Sequence, residues 1–153
     1  MIEETDEIAP SSATEFDVAA YILQSLGSTT SLKLQLLLFY CQACSLEWDE
    51  RTMFESDFVP FKDGPKSELY VRLRGNFKAD MDLIAGDPTA LDEDAMDTVN
   101  KVLGIFGDKT SQWLGRLIRS GEVWPQVLAR RPNHYDRGYI VKKGELLAFY
   151  AEL

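Results

Sequence analysis

The sequence has little of what metal and redox chemistry needs, since its 153 residues include only two cysteines and one histidine. Cys41 and Cys44 have the CxxC spacing that can bind zinc or exchange disulfides. The lone histidine, His134, leaves no second Cys or His pair to complete a tetrahedral zinc site. The two cysteines also lie within an apolar segment, whereas a redox motif begins a helix. We interpret them as small buried residues in a reducing compartment and expect neither a metal nor a cofactor.

Basic residues are scarce: 16 Lys and Arg stand against 25 Asp and Glu, for a net charge of −9. This balance disfavours nucleic acid or an anionic membrane as the main partner, because phosphate binding needs a basic surface. The charges are unevenly placed, with six acids and no base in residues 1–17 but eight bases and two acids in residues 109–143. A basic region on an acidic protein is usually a solvated surface, but it can also attract an acidic partner.

The beginning of the sequence lacks the basic segment and apolar run of a signal peptide. The most apolar stretch, residues 32–48, is interrupted by Lys33, Gln35, Gln42 and Glu47, and is too short and polar to span a bilayer comfortably. These features predict a cytoplasmic protein without a membrane partner.

Helical patterns dominate what is present. Apolar side chains cover nearly the whole circumference of a helix predicted over residues 31–48, so we expect this helix to be buried on several sides. Apolar spacing and capping residues predict further helices that begin near residues 15, 65, 93, 111 and 142, and a short helical turn over residues 124–128. The predicted fold is a single mainly α domain, a helical bundle around a buried central helix with one or two short edge strands. Residues 1–13 are predicted to be a flexible acidic lead-in, and residues 14–153 the domain.

Between the central helix and the next long helix the sequence changes character. Residues 58–61 (FVPF) are short and aromatic, and Pro60 would confine a strand there to the edge of a sheet. Asp63 and Gly64 then break the chain. We expect Pro65 to lie in the first turn of a helix that runs to about Arg74, because proline needs no hydrogen bond there.

Aromatic residues around this break provide the candidate binding surface. Most large aromatic side chains are buried, and this applies first to Trp48 and Trp124. Phe58, Phe61 and Tyr70 surround a turn, where side chains tend to be exposed, and exposed aromatic clusters are common binding anchors. The candidate partner-binding residues are Phe58, Phe61, Asp63, Lys66, Glu68, Tyr70 and Arg72. The candidate structural residues are Trp48, Gly64, Pro65, Leu69 and Trp124.

No pattern of catalytic residues stands out. Most acids lie at predicted helix starts, where helix capping already explains them. His134 lies in a polar, arginine-rich segment with no nucleophile at recognisable spacing, and the glycines match neither a phosphate loop nor a dinucleotide fingerprint. We therefore predict that the chain is not an enzyme. A hydrolase or nuclease with carboxylates that converge only in the fold stays an alternative.

Several segments resemble one family. Residues 17–23 (DVAAYIL), 33–43 (KLQLLLFYCQA) and 46–48 (LEW) are similar to the opening of the Panacea domain. Gly64-Pro65 with Leu69-Tyr70 resembles that family's Gly-Pro…Leu-Tyr segment. The helix over residues 92–107, the following segment up to Trp124 and the closing helix up to Tyr150 resemble its later elements. The resemblance covers roughly residues 16–150.

The Panacea family includes SocA-like antitoxins and GepA-like phage-associated proteins. The resemblance therefore implies a bacterial or phage antitoxin that neutralises its cognate toxin by direct protein–protein binding. One branch of the family instead delivers its toxin to a Clp-type protease, so a proteolytic adaptor is the alternative within the family. The toxin itself cannot be inferred from a fold.

Overall fold

The computed structural model describes residues 11–130 and 139–153, and it confirms a mainly helical fold with two small antiparallel sheets. The helices are α1 (Glu15–Leu26), α2 (Ser31–Trp48), α3 (Leu69–Leu73), α4 (Met81–Ile84), α5 (Glu93–Phe106), α6 (Ser111–Ser120), α7 (Val123–Arg130) and α8 (Lys143–Ala151), with a 3-10 turn at Pro88–Ala90. Strand β1 (Thr29–Thr30) pairs with β4 (Lys78–Ala79), and β2 (Val59–Phe61) pairs with β3 (Gly64–Lys66). Within the described residues, none of the helices combines the length and apolar character needed to cross a membrane.

Helix α2 is the centre of the fold, as its composition predicts. Residues 34–45 are all buried, and α1, α5, α6 and α8 pack around them. Tyr40 shows how even a polar group fits this core: its ring stacks on Phe106 at 4.6 Å and its hydroxyl donates to the Leu114 carbonyl at 3.0 Å. Each fully buried aliphatic side chain contributes about 1.5–3 kcal/mol, so this helix supplies much of the stability.

The helix starts are set by local capping chemistry. Thr14 accepts a hydrogen bond from the Asp17 N–H at 3.2 Å, and the Asp17 carboxylate accepts one from the Thr14 N–H at 2.9 Å, a complete capping box. The side chains of Thr30, Asp92 and Thr110 each cap α2, α5 and α6 by accepting a single hydrogen bond from the backbone N–H three residues on. Each cap is worth about 1 kcal/mol, which is why these boundaries can be predicted from sequence.

Two buried glutamines on α2 fasten the irregular segments to the core. The Gln42 amide accepts from the Met53 N–H at 2.7 Å and donates to the Phe54 carbonyl at 2.8 Å. The Gln35 amide accepts from the Ser67 N–H and donates to the Ser67 hydroxyl, both at 3.0 Å. Because the two glutamines are seven residues apart, they lie on one face of the helix and hold two successive segments against it.

The predicted edge strand is confirmed as β2, but the predicted start of the next helix at Pro65 is wrong. Pro65 lies in β3 opposite Pro60, and α3 covers only Leu69–Leu73. Neither proline can donate a ladder hydrogen bond, so both fit a short edge hairpin. Gly64, with a φ of 147°, directs the chain into the extended strand and lies so close to α2 that a Cβ there would be 3.3 Å from Leu36.

The boundary of the lead-in also differs from the prediction. Ala13 is only 4% exposed and packs in the core, and its N–H donates to the Ser11 hydroxyl at 3.3 Å. The folded part therefore includes residue 13, because its small apolar side chain is covered by the domain. Residues 1–10 of the predicted lead-in, and the predicted surface histidine, His134, lie outside the described residues.

Candidate partner-binding cleft

An open cleft of about 710 Å³ lies beside the hairpin formed by β2 and β3. Its walls come from four parts of the chain: residues 28–33 and Gln35 at the start of α2, Asp63 and Lys66 of the hairpin, Tyr70 and residues 73–77 around the end of α3, and residues 110–112 at the start of α6. The cleft thus forms where the N-termini of α2 and α6 face the hairpin and α3. Its volume is in the range of ligand-binding pockets.

Aromatic and basic side chains cluster on the hairpin side of the cleft. The Phe61 and Tyr70 rings have centroids 5.4 Å apart, and the Lys66 ammonium lies 5.6 Å from the first and 5.0 Å from the second. Lys66 also forms an ion pair with Asp63 at 3.3 Å. Each cation–π contact at an exposed site contributes about 0.5–1 kcal/mol. Together these contacts hold the hairpin and the first turn of α3 in one arrangement before any partner binds.

Hydrogen bonds from neighbouring elements hold the hairpin and the start of α3 in place. The Glu15 carboxylate, in a residue only 2% exposed, accepts from the Ser56 hydroxyl at 2.5 Å and from the Leu69 N–H at 3.1 Å, which fixes the start of α3. The Gln35 amide holds Ser67, and the Arg119 guanidinium donates to the Asp63 carbonyl at 3.3 Å, which ties the hairpin tip to α6. A surface held in this way loses little conformational entropy when a partner binds.

Two apolar side chains of the cleft are exposed to solvent. Phe77 is 78% exposed and Leu32 is 37% exposed, and both line the cleft. The backbone around Phe77 is nevertheless fixed, because Ser31 donates from its N–H to the Phe77 carbonyl at 2.8 Å and from its hydroxyl to the Asn76 carbonyl at 2.7 Å. Trp113, 39% exposed, follows directly after the cleft residues of α6. An exposed aromatic ring on a fixed backbone is a candidate binding anchor.

The structure brings together part of the predicted binding set. Asp63, Lys66 and Tyr70 line the cleft, and Phe61 stacks against Lys66 and Tyr70. Their role in binding stays a prediction, but their proximity is a property of the fold.

The predicted exposure of Phe58 is wrong. Phe58 is 1% exposed and packs edge-on against Phe39 at 5.2 Å and against Phe54 at 6.1 Å. Successive side chains of an extended segment point to opposite faces, so Phe58 and Pro60 face the core while Val59 and Phe61 stay half-exposed. Phe58 is therefore a core residue and not a partner contact.

The two other predicted contacts, Glu68 and Arg72, are exposed but do not line the cleft. The Arg72 guanidinium lies 3.5 Å from the Phe16 ring centroid and donates to the Ile84 carbonyl. Arg72 thus connects α3 to α1 and α4, which is a structural role.

Sequence reasoning missed Leu32, Arg74 and Phe77 as cleft residues. Phe77 had a detectable signal, since it is a single large aromatic residue within the polar sequence Gly75-Asn-Phe-Lys78. Arg74 and Leu32 had none, because an exposed arginine after a helix and an apolar residue in an apolar helix are both ordinary.

The candidate structural residues lie in or against the core. Trp124 is 2% exposed and Leu69 is fully buried, while Trp48 is half-buried and donates from its indole N–H to the Tyr150 hydroxyl at 2.7 Å. Gly64 and Pro65 are buried in β3.

Cys41 and Cys44 are both free thiols buried in α2. Burial raises the pKa of the Cys41 thiol well above its usual value and that of Cys44 to about 12. Because the thiolate is the reactive and metal-binding form, both thiols are suppressed as nucleophiles and ligands. Among the described residues, no three His, Cys, Asp or Glu side chains come together as a metal site would require.

Comparison of the chain with protein-family models, curated proteins and solved structures found no match. The similarity to the Panacea domain therefore stays a prediction from the residue pattern. The cleft and the surface around it are the features of the chain that bear on its function.

Proposed function

We propose that this chain is an antitoxin that neutralises a toxin protein by binding it directly, with the cleft and the hairpin beside it as the contact surface. The observation that supports this most is the exposed Phe77 ring, which lines the same open cleft as Lys66 and Tyr70, whose side chains cluster with Phe61. The resemblance of the sequence to the Panacea family supplies the toxin as the class of partner.

The physical properties of this surface suit protein binding. Aromatic and arginine side chains dominate the binding energy of protein interfaces, and those lining or stacked beside this cleft are Phe61, Tyr70, Phe77 and Arg74. Burying a phenylalanine contributes about 2 kcal/mol, which is roughly a 30-fold change in Kd. Since Phe77 is 78% exposed in the free chain, nearly all of that gain is still available to a partner.

The direct test is co-expression with the toxin candidate encoded by the neighbouring gene, read out as growth rescue and as co-purification. Phe77→Ser should weaken binding by at least about tenfold, because it removes the exposed anchor. Ile105→Ser is the matched control, since Ile105 is 52% exposed on α5 and lies outside the cleft. The control should bind and rescue like the unmodified chain.

The amount of toxin in the rescued cells separates neutralisation from delivery to a protease. Direct neutralisation protects growth while the toxin stays at its normal level, whereas an adaptor lowers that level. A chain that neither rescues growth nor co-purifies with the toxin would overturn the proposal.

A further inference from the structure

The cleft carries positive charge on an acidic protein. Its charged lining consists of Lys33, Lys66 and Arg74 against Asp63, three bases minus one acid, or +2, whereas the whole chain carries −9. Lys66 is partly neutralised by Asp63 at 3.3 Å, and Lys33 donates to the Gly107 carbonyl at 2.6 Å. Arg74 is exposed, and its guanidinium has no partner among the described residues. It is available to bind an anion entering the cleft.

Two helix N-termini add to this positive potential. Ser31 begins the 18-residue α2 and Ser111 begins the 10-residue α6, and both residues line the cleft. The first hydrogen bonds of α6 are donated by the N–H groups of Trp113 and Leu114 to Thr110, so the N–H groups of Ser111 and Gln112 precede the helical ladder. Such N-terminal N–H groups favour a carboxylate or another anion.

A buried hydroxyl next to the cleft also lacks a partner. Thr29 lines the cleft and is only 7% exposed, and its Oγ1 makes no hydrogen bond within the described part of the chain. Leaving a buried polar group unpaired costs about 1–3 kcal/mol. This observation is independent of the helix ends and of the basic side chains.

Resting on the proposed function, we infer that the cleft binds an extended segment of the partner that carries a carboxylate next to an apolar or aromatic side chain. The carboxylate is placed against Arg74, Lys66 and the start of α6, where charge-assisted hydrogen bonds form. The apolar side chain packs between Leu32 and Phe77. An acidic protein segment fits the cleft better than a nucleic acid does. The net charge of −9 repels a polyanion, and the exposed side chains of Leu32 and Phe77 are buried only by an apolar group of the partner.

A random peptide library displayed on phage and selected on the immobilised full chain tests the inference without the toxin. We expect enrichment of peptides with Asp or Glu beside an aromatic or aliphatic residue. A synthetic peptide of the enriched sequence should bind Arg74→Glu at least about tenfold more weakly, and added salt should weaken its binding to the unmodified chain. Lys143→Glu is the matched charge reversal, at an exposed position outside the cleft, and should leave the peptide's Kd within about twofold.

Several outcomes would overturn the inference: no enriched peptide, enriched peptides without acids, or equal binding to Arg74→Glu. If the Arg74→Glu variant fails to melt cooperatively, the Arg74→Gln variant is used in its place, because it removes the charge with less perturbation of the fold. Residues 1–10 contain four acids and could themselves occupy the cleft. If peptides bind only after these residues are deleted, the cleft belongs to the chain's own N-terminus, and the inference is overturned.

The toxin arm keeps this inference distinct from the proposed function. A toxin that binds the unmodified chain and Arg74→Glu equally well would refute the cleft assignment and leave the antitoxin proposal intact. If acidic peptides bind in the cleft but the chain does not rescue growth from the toxin, the antitoxin proposal is refuted and the inference about the cleft stands.

Discussion

Replacing Gln35 by leucine tests how the cleft is held in place. Gln35 is 3% exposed on α2, and its amide makes two hydrogen bonds of 3.0 Å to Ser67, between the hairpin and α3. Leucine has a similar volume and no polar group. The substitution therefore removes both hydrogen bonds without opening a large cavity, and leaves the buried Ser67 N–H unpaired.

The expected loss follows from three contributions. An unsatisfied buried N–H costs about 1–3 kcal/mol, and the lost bond to the Ser67 hydroxyl costs about 1 kcal/mol. The added apolar surface of leucine returns about 1 kcal/mol. The free energy of unfolding should therefore fall by about 1–3 kcal/mol, which lowers Tm by roughly 2–12 °C in a chain of this size.

Gln42→Leu is the matched control, because Gln42 lies two turns further along α2 and makes equivalent bonds to Met53 and Phe54. Both variants should lose similar stability in thermal or urea unfolding followed by circular dichroism. Amide hydrogen exchange should differ: Gln35→Leu should speed exchange over residues 59–70, and Gln42→Leu over residues 52–56. Only Gln35→Leu should weaken binding of a partner to the cleft.

A loss below about 0.5 kcal/mol for Gln35→Leu, with unchanged exchange at Ser67, would refute the reasoning that buried amide bonds position the hairpin. Equal loss of partner binding in both variants would show that binding follows overall stability and not the position of the hairpin.

The remaining predictions concern the rest of the fold. Gly86→Ala should destabilise the fold by about 1–3 kcal/mol, because the added Cβ would lie 2.0 Å from the Phe16 carbonyl oxygen. Gly104→Ala on α5 should stabilise it by about 0.5–1 kcal/mol, because the added Cβ would have no atom within 4 Å. Thermal melts of both variants check these two predictions. The hydrogen bond from Arg51 at 2.6 Å lowers the pKa of Asp92, so this carboxylate stabilises the fold above its unfolded pKa of about 4, and the contribution is lost as the pH falls through the folded pKa. Asp92→Asn should therefore make unfolding less dependent on pH in this acid range, and an unchanged slope would contradict the assignment. The two thiols of α2 should react with a thiol reagent at pH 8 only after denaturation, since burial raises the pKa of both; rapid reaction in the native chain would contradict their burial.

The helical frame was predictable because its signals are local. Thr14 caps α1 and Thr110 caps α6 through hydrogen bonds to residues three positions away, so the pattern and its partner are adjacent in the sequence. The burial of α2 was also predictable, because a helix that is apolar on every side has no stable place on a surface.

The hairpin shows where local reasoning fails. Pro65 fits a helix start as well as an edge strand, and its pairing with Pro60 decided between them. Phe58 and Phe61 are both aromatic, yet Phe58 is in the core and Phe61 is half-exposed. The register of the strand against α2 determines which of its faces points inward. Neither choice is encoded in the residue types alone.

The sequence by itself determined the capped starts of α1, α2, α5 and α6 and the central position of α2, since capping and apolar coverage act over a few residues. Only the tertiary structure decided the cleft, which joins side chains from three segments that are distant in the chain, within residues 28–35, 63–77 and 110–112. Buried contacts such as those of Gln35 to Ser67 and Glu15 to Leu69 bring these segments together. Their partners lie 32 and 54 residues apart, a separation over which no local pattern specifies which groups will meet.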